Sequence, residues 1–362
     1  MKILRSYVLT ECIVPFILSL IVLTCVFLLG NLINLANLVI NKGVSLTTIG
    51  KAFVLYIPVL VGYTLPIACL IGVILAFSRM SSDNEILAMR ASGIHLSQLL
   101  FPLMIVGLMI SLFSFVLNDR IIPYAHDEQR KIIKSLGTSN PTALLEPGMF
   151  INSFDKFILF IHKIDGNKMY NVTIYQPREN KPTRTIIAKK GEFAPIPGSD
   201  QIKLKLIDGT ADEPNLQNPD NFYKLSFKQY FMTLDLSQKN QTVDKKPKSM
   251  TLKELENEMI RLERFYIKDT GKLRTEYFRK ITFSFAPFFF ILLGFPLAVI
   301  TNKREKSANV VLAIICVAIY YLLSLGCEAL GIKNVVDPAV IMWGPNLVAA
   351  VAAVILNIRC VS

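Results

Sequence analysis

Six stretches of the chain are apolar and free of charge for 19 residues or more: 12–41, 52–78 and 96–118 precede a long polar segment, and 281–302, 309–327 and 339–358 follow it. A helix needs about 20 apolar residues to cross roughly 30 Å of hydrocarbon, so the pattern predicts six membrane spans in a three-plus-three order. The fifth stretch is the shortest and can run on past Glu328. The segment between the two sets follows a different period. Phe157, Leu159 and Ile161 recur at every second position, as do Val172 and Ile174, and then Ile202, Leu204 and Leu206. Asp165-Gly166-Asn167, residues 177–182, residues 195–200 and Asp208-Gly209 are the turn-like segments between them. Between about Phe150 and Leu236 this predicts an antiparallel all-β unit: a sandwich, a jelly roll or an open barrel. Its apolar face is either the core of a soluble sandwich or a cleft for lipid chains.

Composition sharpens the division. The 362 residues are 52% apolar and only 18% charged, with a mean hydropathy of +0.45. Soluble domains carry about 25% charge, which argues against a single soluble domain. Residues 119–275 hold 26 Lys/Arg and 20 Asp/Glu, whereas the other 205 residues hold 13 and 7. The chain thus divides into 1–118, an inserted domain at 119–275, and 276–362. The net charge of +12 splits into two shares of +6, so the basicity is not that of a nucleic-acid tail, and no nucleic-acid partner is expected.

Basic residues in short loops set the orientation. With the N-terminus inside, Lys2, Arg5, Arg79, Arg90, Lys303, Arg304, Lys306 and Arg359 are cytoplasmic, against Lys42, Lys51 and Lys333 on the other side. Both termini are therefore expected in the cytoplasm and 119–275 outside, with Arg279 and Lys280 running against the bias. The first stretch is too long for a signal-peptide core and lacks a small-residue cleavage site, so it is expected to stay as an anchor. Val22-Leu23-Thr24-Cys25 is only a faint lipoprotein box. All six cysteines lie in or beside spans, so no disulfide staples the inserted domain.

Two helical segments are expected to flank the β unit. One continues from Asp119 to Leu136. The other opens at Thr251, with Glu254 three residues on as a capping box, and bears a stripe of Leu255, Met259, Leu262 and Tyr266. No catalytic constellation stands out. His95, His126 and His162 are dispersed, and Gly43 with Gly50-Lys51 has the wrong spacing for a phosphate loop, so neither a metal nor another cofactor is expected. Prolines 58, 66, 287 and 296 permit kinks, a common feature of membrane helices.

The most informative stretch is residues 79–93. Ser82 and Glu85 read as a second capping box, Asp83 and Glu85 suit a helix start, and Gly93 suits its end. The product is a short helix between spans two and three with Ile86, Met89 and Arg90 on one face and Glu85 beside it. Such a helix is either a docking element for a soluble motor or an interfacial helix resting on headgroups.

Residues 81–93 resemble the coupling-helix signature of the lipopolysaccharide-export permeases, the LptF/LptG family. Leu145-Glu146-Pro147-Gly148 with Phe150, Ile187-Ala188-Lys189-Lys190-Gly191, Leu206-Ile207-Asp208-Gly209, Leu293-Gly294-Phe295-Pro296-Leu297, Tyr320-Tyr321 and Trp343-Gly344-Pro345-Asn346 are similar to further family motifs, in family order. The match leans to the F-type subunit at 246–255 and around Trp343. The resemblance implies a six-helix membrane bundle with a periplasmic jelly-roll-like β domain in a Gram-negative inner membrane. It also implies a homologous permease subunit, a cytoplasmic ABC ATPase dimer, and periplasmic bridge proteins of the LptC/LptA type. The substrate would be lipopolysaccharide, and ATP hydrolysis would lie in the partner chain. Asp83, Glu85, Ile86, Met89 and Arg90 would couple to the ATPase. Where the family often places basic residues, this chain has Asn31, Asn34 and Asn37 before a single Lys42. These face protein or water, or mark a helix end in the headgroup zone. With Arg279 and Lys280 they are the candidates for lipid phosphate. Two other readings remain: a permease-like protein that transmits ATPase motion without moving lipid, and a scaffold whose β domain binds partners.

Overall fold

The computed structural model describes residues 2–40, 45–95, 97–139, 148, 150–154, 157–165, 168–178, 181–195, 201–214, 222–235, 245–264, 270–300 and 306–361. They form two compact units, each described by itself. One combines residues 1–31, 53–128 and 245–362, and the other residues 32–52 and 129–244.

The first unit is helical. Its elements are α1 (Lys2–Ile40), α2 (Leu46–Ser82), α3 (Glu85–Ala91), α4 (Ser97–Val116), a π-helical turn at Leu117–Ile121, α5 (Ile122–Ser139), α6 (Leu252–Arg264), α7 (Gly271–Ser284), α8 (Ala286–Ile300), α9 (Lys306–Ile332), α10 (Pro338–Ile341) and α11 (Gly344–Val361). The ends of α1, α2 and α5 fall at or across the boundary with the second unit. Among the described residues five helices are long and apolar enough to cross a membrane, and α7 with α8 makes a sixth span bent by 42°. That bent span begins ten residues before the expected fourth stretch, because α7 carries charges that it buries. As anticipated, α9 continues past Glu328.

Helix α2 runs through the middle, with 78% of its apolar window buried, whereas α1 and α9 bury 11%. Phe77 and Phe295 meet edge to face at 4.9 Å in the core they share with Val8, Leu70, Ile74 and Phe290. Two glycines allow this closeness. A Cβ on Gly72 would stand 2.9 Å from the Phe16 Cα, and one on Gly294 would stand 3.3 Å from the Leu70 carbonyl. Small residues at such crossings let membrane helices gain dispersion contacts that lipid does not supply.

The bend between α7 and α8 has an identifiable cause. Pro287 has no N–H to continue the helical ladder, and the chain tightens at Phe285, whose amide donates to the Thr282 carbonyl at 3.1 Å. The same carbonyl accepts from Asn346 Nδ2 of α11 at 2.7 Å, and Ser111 Oγ of α4 accepts from the Phe288 amide at 3.1 Å. Side chains from neighbouring helices thus satisfy backbone groups at the break, as a lipid environment requires.

The second unit holds a six-stranded antiparallel sheet in the order β1 (Phe150–Phe154), β2 (Phe157–Asp165), β3 (Lys168–Arg178), β4 (Lys181–Pro195), β5 (Gln201–Pro214) and β6 (Phe222–Asp235). Each strand pairs with its neighbour in sequence, so the described strands form a meander without the crossed connections of a jelly roll. Leu159, Ile161, Met169, Val172, Ile174, Ile186, Leu204 and Leu206 form its core, the face that the alternation marked.

Two expected turns are corrected. Asp208-Gly209 lies inside β5: Asp208 adopts φ 52°, and the buried positions shift phase from Leu204 and Leu206 to Ala211. Asn171 at φ 51° does the same inside β3, between Met169 and Val172. Each re-phases the alternation while the pairing with both neighbouring strands keeps one register across it, a role Asn and Asp fill because they tolerate the left-handed region. Of the predicted turn 177–182, Pro177 and Arg178 extend β3 while Lys181 and Pro182 open β4. Residues 166–167, 196–200 and Tyr266 lie outside the described residues.

Candidate functional site

Two polar sites stand out in the helical unit. The first surrounds α3. Its start is not the capping box that Ser82 and Glu85 suggest. Asn84 is the N-cap, in the left-handed region at φ 59°, and makes no side-chain cap. Ser82 Oγ instead donates to the Arg79 carbonyl at 2.9 Å. The competing bond wins because Ser82 still belongs to α2, where its hydroxyl reaches back one turn. The Glu85 carboxylate is taken by Tyr7, whose hydroxyl lies 3.0 and 2.9 Å from its two oxygens. Gly93 ends the helix as expected, at φ 79° with its amide on the Arg90 carbonyl.

The five residues singled out at α3 and just before it are placed differently from one another. Ile86 is buried in the core that also holds Val8, and Met89 packs against it. Glu85 is half-buried, while Asp83 and Arg90 are exposed. Asp83 pairs with Arg79 at 3.8 Å, and Arg79 also bridges to Glu11 of α1 at 2.9 Å. The outward side is Leu87, which is 62% exposed, with Ala88 and Ala91.

The second site lies where α2, α5, α6 and α7 meet. Glu276 and Arg279, one turn apart on α7, form a two-point ion pair at 2.6 and 3.0 Å. Lys280 is 4% exposed and donates its ammonium to the Met250 carbonyl. Beside it, α6 begins with the expected capping box: Glu254 accepts from the Thr251 amide at 2.8 Å, and Thr251 Oγ1 accepts from the Glu254 amide at 3.3 Å. Asp119, in the π-helical turn, accepts from the Leu252 amide at 2.8 Å, and Lys245 pairs with Glu254 at 2.6 Å. The start of α6 is therefore held by its own box and by an acid 133 residues away. Burial raises the Glu254 carboxyl, but hydrogen bonds from Lys245 and the Thr251 amide outweigh it and hold it below its ordinary value.

A cavity of about 140 Å³ opens beside this cluster, lined by Tyr63, Arg279, Phe283, Tyr321 and Glu328 among others. Arg279 thus faces the cavity while paired, whereas Lys280 is committed to a carbonyl. The two cations named together from sequence have different surroundings. Sequence reasoning missed Glu276, Asp119, Lys245 and Tyr7. The i to i+3 spacing of Glu276 and Arg279 was the one signal available; the other partners are distant in sequence. The side chains of Asn31, Asn34 and Asn37, and all of Lys42, lie outside the described residues. Among the described residues, no three His, Cys, Asp or Glu side chains cluster as metal ligands would.

The fold defines a multi-pass membrane protein whose spans are interrupted by an all-β insert. The family model for the lipopolysaccharide export system permease LptF/LptG matches residues 6–359, and the chain belongs to that family. It is 21% identical over 359 residues to the lipopolysaccharide export system permease protein LptF of Escherichia coli (strain K12), covering 98% of this chain and 94% of the relative. The LptF of Shigella flexneri matches to the same extent. An uncharacterized protein of Rickettsia prowazekii (strain Madrid E) is 23% identical over 152 residues, 42% of each chain.

Proposed function

We propose that this chain is a permease subunit that takes lipopolysaccharide from the outer leaflet of the inner membrane and passes it toward a periplasmic bridge, driven by a separate cytoplasmic ATPase. The observation that carries the reading is the family match along 6–359, which leaves neither membrane half nor insert unaccounted for. The full-length relatives named LptF support an F-type assignment. In this reading both termini are cytoplasmic and 119–275 is periplasmic. Helix α3 then lies on the cytoplasmic surface, where its exposed side, with Glu85 at the edge, receives the ATPase. Arg279 at the cavity and the Asn31, Asn34, Asn37 and Lys42 stretch are the candidates for lipid phosphate. A homologous permease covers apolar surface that α1 and α9 leave open.

The test is purification of the full chain with its native partners. A Glu85→Arg variant should lose the co-purifying ATPase while its unfolding temperature holds. Photo-crosslinkers at Asn34 and Lys42 should yield lipopolysaccharide adducts in the wild-type complex. An ATPase that stays bound to Glu85→Arg would overturn the docking assignment. Absence of lipid adducts with the ATPase in place would replace transport with motion transmitted to the external domain.

A further inference from the structure

Helix α1 grips the corner between α2 and α3 at two points, one on each helix. At one, the Tyr7 hydroxyl carries a single proton between the two oxygens of Glu85, at 3.0 and 2.9 Å. At the other, Arg79 at the end of α2 bridges to Glu11 at 2.9 Å. Tyr7 and Glu11 are one helical turn apart on α1, so both grips use the same side of that helix. Between them Val8, fully buried, shares the core with Ile86. The start of α3 has no side-chain cap of its own, because Asn84 makes none. What orients the first residue of α3 is therefore a hydroxyl supplied 78 residues earlier in the chain.

We propose that Tyr7 is a positioning residue: its hydroxyl holds the Glu85 carboxylate against α1, so that a load on α3 is carried into the first membrane-crossing helix. This rests on the reading that α3 receives an ATPase. Burial of Ile86 holds α3 to the bundle but allows it to rock, because apolar contact is non-directional. A charge-assisted hydrogen bond is directional and short, and it fixes the carboxylate that an incoming cation would meet. Helix α1 is well suited to pass the motion on: it is continuous from Lys2 to Ile40, and neighbours within the chain bury little of its apolar stretch.

The experiment uses the full chain, reconstituted in lipid with the ATPase that co-purifies with it. Glu85→Arg first reports on docking, and its retention of the ATPase would overturn both the docking reading and the role of Tyr7. With docking lost in Glu85→Arg, Tyr7→Phe should keep the ATPase bound yet lower stimulated turnover about 3- to 10-fold, the effect of one lost side-chain hydrogen bond, with KM for ATP unchanged. At saturating ATPase, Tyr7→Phe combined with Glu85→Ala should be no slower than Glu85→Ala alone, because the two act through one bond. Wild-type turnover in Tyr7→Phe, or additive losses in the double variant, would overturn the positioning role and leave docking standing. Val8→Ala serves as the packing control. A Tyr7→Phe loss that follows its drop in unfolding temperature, as in that control, would mark the hydroxyl as structural and overturn the proposal.

Discussion

Asn357 of α11 donates its side-chain amide to the Leu292 carbonyl of α8 at 3.3 Å. That carbonyl lies four residues before Pro296, so the helix supplies it no N–H. Eleven residues earlier, about three turns along the same face, Asn346 serves the Thr282 carbonyl at the other break. Helix α11 thus splints the bent span at two places, the break at Phe285 and the carbonyl that Pro296 leaves without an N–H. Removing Asn357 strands a carbonyl in an apolar setting. Asn357→Leu should therefore cost about 1–3 kcal/mol in reversible unfolding from mixed micelles. Pro296→Ala restores an N–H for Leu292, so in that background the same substitution should be nearly neutral. Equal losses in both backgrounds would show that the carbonyl is not what Asn357 serves.

The Glu276–Arg279 pair predicts an asymmetry of the same kind. Glu276→Gln leaves a guanidinium without its counter-charge in a buried site and should cost about 3–5 kcal/mol, whereas Glu276→Gln with Arg279→Met should recover much of the loss. Thermal unfolding of the purified full chain measures both. A double variant less stable than the single one would contradict this account.

The start of α6 should respond to acid. Glu254 titrates below its ordinary value when folded, so its contribution is complete above that ordinary value and is lost as pH falls through the lower, folded one. Its side chain is 40% exposed, so solvent screening keeps the effect modest. The protection of the α6 amides, taken relative to their intrinsic exchange rates, should fall between about pH 5 and pH 3 in the wild type and change less in Glu254→Gln. Thr251→Ala should weaken the same helix by about 1 kcal/mol at neutral pH. Exchange in α6 that is indifferent to both variants would remove the capping box from the account.

Gly209 marks where the sheet tolerates no side chain. A Cβ there would stand 2.4 Å from the Ile187 carbonyl and 2.6 Å from the Phe227 ring. Gly209→Ala should destabilise the β domain by about 1–3 kcal/mol, as overpacking generally does. Limited proteolysis of the full chain should then release fragments cut within 150–235 before the helical unit is attacked. Wild-type protease resistance would mean that β4 and β6 yield without cost.

Much of this protein is written in local patterns. Charge-free runs fixed the number of spans and the site of insertion, because hydrocarbon penalises any charge along about 20 residues. Alternation identified the strands and their buried face, because successive side chains point to opposite sides. The Thr251–Glu254 box was legible because both partners lie within one turn. The errors have a common origin. Asp208-Gly209 reads as a turn from composition, yet pairing with β4 and β6 keeps it inside a strand in unbroken register. Ser82 reads as a cap, yet α2 runs on to it and its hydroxyl bonds backward.

What only the tertiary structure decided is which polar groups meet. Arg279 and Lys280 are adjacent in sequence, but one faces a cavity while paired with Glu276 and the other is bound to the Met250 carbonyl. Glu85 was picked out by its helix, and its partner Tyr7 by nothing local. Partitioning into lipid depends on each residue's own transfer free energy and is additive along a chain, so sequence suffices to read it. Satisfying a buried donor or acceptor depends on which other helix arrives beside it, and that follows only from packing the whole bundle.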